Sequence, residues 1–157
     1  MPRPRRAAWI VVALLIVVLG TVGAALGLSS TSTPQVNRQA SAHRFLTRLF
    51  DAIKGGDSGF LLTTLSPIVR SDFPVATCRS FSEHLHVPGA RFTVLDIGAP
   101  GVFHFTSKGA PRFSLADVLP VSVDVTIGAA SSREIIHIAA DGVGGYTWFG
   151  DCAIATR

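Results

Sequence analysis

Between Ala7 and Leu28 the chain carries 22 consecutive residues without a charged side chain, "AAWIVVALLIVVLGTVGAALGL". As a helix rising 1.5 Å per residue, this run spans roughly 33 Å, enough for a hydrocarbon core of about 30 Å. A water-facing helix of that length needs a polar stripe, and only Thr21 could begin one. The run therefore reads as a membrane anchor. A cleaved secretory signal has a shorter apolar region, about 7–15 residues. Secretion is the alternative, drawing on the small residues of Val22-Gly23-Ala24 and Ala25-Leu26-Gly27. Arg3, Arg5 and Arg6 precede the run and the next charge is Arg38. Positive residues stay cytoplasmic, so the C-terminal part is expected outside the plasma membrane, in the cell envelope.

Three segments follow from this reading. Residues 1–28 form an Arg-rich cytoplasmic tip and a transmembrane helix, and residues 29–40, "SSTSTPQVNRQA", have the Ser/Thr composition of a flexible tether. Residues 41–157 are long enough for one small extracytoplasmic domain with a single core. The net charge of +4 is largely topology signal, because the three leading arginines leave with the anchor. What remains is nearly balanced and scattered singly, without a basic patch interleaved with aromatics. Nucleic acid is therefore not an expected partner.

Cys78 and Cys152 are the only cysteines. An oxidising compartment favours a disulfide between them, closing a loop worth roughly 4 kcal/mol of chain entropy. A metal site would need partner ligands that the sequence does not supply.

The domain changes period part-way. Ala42, Phe45, Leu46, Leu49, Phe50 and Ile53 recur at helical spacing, with Arg44, Thr47, Arg48, Asp51 and Lys54 opposite. Gly55-Gly56 stop this helix, Asp57 caps a second one over "SGFLLTTL", and Pro67 is expected to end it. Gly56-Asp57-Ser58-Gly59 also spells the surroundings of a serine-protease nucleophile. That chemistry needs a His and an Asp on a large scaffold, and His43 is the only histidine before Ser58. Ser58 is read as turn punctuation. A third helix is expected across "ATCRSFSEHLHV", where His84 and His86 would point about 200° apart and could not share an ion.

Strands are expected at 91–98, 101–107, 121–128, 133–141 and 145–154, the fourth apolar on both faces and hence buried on both. The segment between, "SKGAPRFSLADVLP" (107–120), reads as a connection holding a short helix at "SLADVL", or as a lid. Helices first and antiparallel strands afterwards make an α+β domain with helices on one face of a curved antiparallel sheet.

The opening "FLTRLFDAIKGGDSGFLLTTLSP" resembles that of the nuclear transport factor 2-like superfamily, over roughly residues 40–154. The resemblance implies a helix ending in a Gly-Asp turn, a short second helix, and a curved sheet closing a cone that often holds a pocket. It implies membrane-anchored extracytoplasmic relatives as well. Pro67 to Val75 leaves little room for the hairpin that many members place there.

Members of that superfamily include isomerases, dehydratases and non-catalytic binders, so the site must decide. Asp96, His137 and Tyr146 are the residues expected to touch a ligand, with His104 and Asp124 as further titratable groups on strands; Asp96 and His104 could face each other. His137 stands out because its strand reads as buried on both sides. No pair has catalytic spacing, so no catalytic residue, metal or cofactor is assigned. The leading reading is a non-catalytic binding or scaffold domain beside other envelope proteins, with ten phenylalanines to fill the cone. The alternative is a small-molecule-binding or acid–base enzyme of the same fold. Gly23 and Gly27 in the anchor, and the two-sided strand, raise a homodimer.

Overall fold

The computed structural model describes residues 32–108 and 110–156. From Ser41 onward the chain forms one compact unit. Among the described residues no helix is long and apolar enough to cross a membrane; residues 7–28, where the anchor is expected, lie outside them. Among the described residues the architecture is α+β, four helices followed by a curved antiparallel sheet and a last 3-10 turn.

Helix α1, Ser32–Gly55, takes in residues 32–40 of the segment whose composition reads as a tether. It buries Ala42, Leu46, Leu49, Phe50 and Ala52, the face marked by its helical spacing. Gly56, at φ +72, turns the chain out of the helix at no steric cost. Asp57 then accepts the Phe60 N–H at 3.0 Å, capping α2, Ser58–Thr64. The same carboxylate meets Arg48 at 2.6 Å, tying the cap to α1. Ser58 is simply the first residue of α2.

Pro67 opens a helix where the sequence suggested that it would close one. Helix α2 stops at Thr64 because Leu65 turns extended and bridges Trp148, while Ser66 N–H donates to the Trp148 carbonyl at 2.8 Å. Pro67, whose missing N–H costs nothing in a first turn, starts α3, Pro67–Asp72. Helix α4, Val75–His84, follows, and Cys78 on it is bonded to Cys152 across a separation of 74 residues.

Strand β3, Ala110–Ile127, is the spine of the sheet. It takes β1, Arg91–Ile97, and β2, Gly101–Ser107, end to end, with Ile97 opposite Val121 and Gly101 opposite Val118. Strand β4, Ala130–Ala140, pairs with its C-terminal half, and β5, Tyr146–Trp148, adds to β4. The expected connection at 107–120 is thus mostly strand. Phe113 and Leu115 do alternate with Arg112 and Ser114, but Asp117 at φ 59 and Pro120 interrupt the period and imitate a loop. The expected strand at 145–154 is short: after Trp148 the chain leaves the sheet and ends in a 3-10 turn, Cys152–Thr156.

Leu119, Val121, Val123 and Ile138 are buried on the face that the core occupies. Strand β4 is covered on both sides only toward its C-terminal end, where Ile138 and Ala139 on opposite faces are both buried and His137 is half-buried against Phe103. Nearer its start Ile135, on the same face as His137 and Ala139, is 61% exposed, and a β-branched side chain suits a pleated strand even there.

Candidate functional site

The sheet and helices do not fill the space between them. A cavity of about 220 Å³ lies between α1, α4 and the inner sheet face. Its deepest wall is made of the buried side chains Leu49, Phe50, Val123 and Trp148. Half-buried apolar side chains continue it outward: Ile53, Phe81, Leu85, Phe92, Val125, Ile136 and Phe149. Walls that are half-exposed mean that the cavity opens to solvent. Among the described residues, the one charged side chain that lines it is Glu134, exposed, on the same strand face as Ile136.

Each wall has a local cause. The helical period of α1 that buries Leu46 also turns Leu49, Phe50 and Ile53 inward. Beyond α4, Val87 N–H donates to the Ile53 carbonyl at 3.1 Å and His86 Nε2–H to the Lys54 carbonyl at 3.1 Å. These bonds hold Leu85 beside the C-terminal end of α1. Trp148 directs its indole N–H to the Leu61 carbonyl at 3.0 Å, so its polar atom is satisfied and its ring is left for the wall. Phe50 stacks on Phe92 with centroids 4.6 Å apart, and Phe81 on Trp148 at 5.9 Å. Gly150 permits the second stack: a Cβ there would lie 2.6 Å from both rings.

The three residues expected to meet a ligand are not brought together. Asp96 is exposed, opposite Ser122 beside the β1 bulge, on the outer sheet face. Tyr146 is buried in the core, 5.9 Å from the Phe45 ring, away from the residues lining the cavity. His137 lies on the outer face opposite Pro120, half-buried and stacked on Phe103 at 4.0 Å. Burial lowers its pKa below the ordinary imidazole value. It reaches the cavity only at second hand, since Phe103 lies 5.1 Å from Phe149.

The other titratable side chains are engaged elsewhere. Asp124 pairs with Arg133 at 3.0 Å, and His104 Nδ1 bonds the Ser114 hydroxyl at 2.7 Å. Asp96 and His104 do not face each other, because β1 and β2 follow one another along β3 and do not lie side by side. His84 and His86 turn to separate carbonyls, Ser80 and Lys54. Glu134 escaped the sequence reading because a strand residue between Arg133 and Ile135 looks like ordinary surface. Its alternation with Ile136 and Ile138 was the available signal.

A comparison of the chain with protein-family models finds no match, and comparisons with curated proteins and with solved structures find none either.

Proposed function

We propose that this chain is a membrane-tethered envelope protein whose extracytoplasmic domain, of nuclear transport factor 2-like build, binds a small molecule in an apolar cavity without transforming it. The observation that carries the reading is the apolar wall of the cavity. General acid–base catalysis needs a titratable group within hydrogen-bond reach of the reacting atoms. His137 and Asp96 stand on the opposite sheet face, and Glu134, exposed among the lining residues, has no second titratable side chain beside it in the described lining to share a proton transfer. A dry apolar cavity of about 150 Å³ can hold a benzene-sized ligand, so one of about 220 Å³ accommodates a somewhat larger ring or short chain. The uncharged run at 7–28 supports the tether and the leading arginines its orientation.

Native mass spectrometry of the full chain, exported and extracted in a maltoside detergent, tests the binding. A retained small molecule, released when Val123→Phe fills the cavity, is the expected result. A protein that retains nothing and takes up no added toluene would overturn the reading. Retention in carbonate-washed membranes tests the tether separately, and a protein found free in the medium would replace it with secretion.

A further inference from the structure

We infer that the cavity selects a small organic cation, an alkylammonium whose methylated nitrogen lies among aromatic rings with Glu134 beside it. The inference rests on the binding reading above and gives the ligand its chemical class. Five aromatic side chains line the cavity: Phe50, Phe81, Phe92, Trp148 and Phe149. Aliphatic side chains would serve a purely apolar ligand equally well. Aromatic rings add a negative π face, and a cluster of them is the usual environment of a quaternary ammonium. Four of these rings hold each other in place by stacking, Phe50 with Phe92 and Phe81 with Trp148. Such a wall is pre-organised and needs little ordering when the ligand enters.

Charge points the same way. Among the described residues, Glu134 is the sole charged side chain lining the cavity, and no ion pair engages it. A carboxylate beside an aromatic cavity attracts a cation and repels an anion. It therefore disfavours a zwitterionic lipid headgroup, whose phosphate would follow the ammonium toward Glu134. A cavity of about 220 Å³ also has room for a single small cation but not for acyl chains.

Choline and its neutral carbon isostere 3,3-dimethylbutan-1-ol have the same shape and differ in charge. The full chain carrying Trp9→Phe, held in a maltoside detergent, leaves Trp148 as its only tryptophan and thus a reporter on the cavity wall. Titrations should show saturable binding of both, with choline tighter by roughly tenfold. Glu134→Gln should remove much of that advantage and leave the isostere's affinity unchanged. Phosphocholine should bind more weakly than choline. Equal affinity for choline and its isostere, or phosphocholine binding as well as choline, would overturn the inference while leaving a binding cavity in place. If neither choline nor the isostere binds, the inference falls, and the binding reading falls with it only if toluene is not taken up either.

Discussion

The indole N–H of Trp148 donates to the carbonyl of Leu61 at 3.0 Å, joining residues 87 apart in the chain. That carbonyl also accepts the Leu65 N–H at 3.1 Å, so one bond survives if the indole is removed. Trp148→Phe should therefore cost about 2 kcal/mol, combining one buried hydrogen bond with lost packing volume. Urea unfolding of the variant checks this. A midpoint unchanged from the wild type would mean that the indole does not join α2 to the sheet energetically.

Gly150 is buried, and a Cβ at this position would fall 2.6 Å from Phe81 Cε1 and Trp148 Cζ3. Gly150→Ala must push apart two rings that line the cavity. Overpacking of this kind costs about 1–3 kcal/mol. The more telling readout is ligand affinity: Gly150→Ala should weaken binding of a probe such as toluene more than an equally destabilising change remote from the cavity.

The Cys78–Cys152 bridge ties α4 to the 3-10 turn after the sheet. Replacing both cysteines with alanine should lower stability by about 2–5 kcal/mol. Because Phe81 lies one turn beyond Cys78, the same change should loosen the cavity wall. Denaturation with and without dithiothreitol gives the stability, and equal midpoints would show that the bridge adds nothing.

Burial of the Ser107 hydroxyl is compensated by Asp151, which accepts it at 2.8 Å and also accepts the Ala153 N–H at 3.0 Å. Asp151→Ala takes the acceptor from the buried Ser107 hydroxyl. A loss of about 1–3 kcal/mol is expected. Asp151→Asn, which keeps an acceptor oxygen, should recover part of it. Identical behaviour of the two variants would count against the hydrogen bonds as the cause.

Burial holds the folded-state pKa of His137 below the ordinary value. As pH falls, the unfolded chain then takes up this proton before the folded one does. The stability that the neutral ring contributes is therefore complete above about 6.5 and is lost as the pH drops through the interval down to the folded value. His137→Phe keeps a ring against Phe103 and removes the titration. Between about pH 8 and pH 5 the wild type should lose more stability than the variant, and parallel losses would sink the assignment.

Much of the helical half was legible in the sequence because it rests on local signals. The 3.6-residue period of Ala42 to Ile53 and the cap at Asp57 need only near neighbours. Pro67 was misread because a proline closes one helix and opens the next with equal ease, and only the bond from Ser66 to Trp148 separates the two. Strand β3 was read as half its length, since Asp117 and Pro120 break its alternation where pairing passes from β2 to β1. The candidate site was less legible still. Its walls come from α1, α4 and four strands, and what lines a cavity depends on register and face, neither of which a single sequence states. His137 drew notice for an apolar strand whose outer side is in fact uncovered at Ile135.

Strands β1, β2 and β4 all pair with β3, and only β4 with β5 pairs without it. The sheet is therefore a tree with one trunk. A slip of a single residue along β3 would turn Leu119, Val121 and Val123 to solvent and dissolve the cavity floor in the same move. Asp117, held at φ 59 between the stretches that meet β2 and β1, sets the phase between the two halves. Asparagine or glycine should be tolerated there, while a β-branched residue, which resists a left-handed backbone, would unsettle the pairing of β3 with β1, β2 and β4 together.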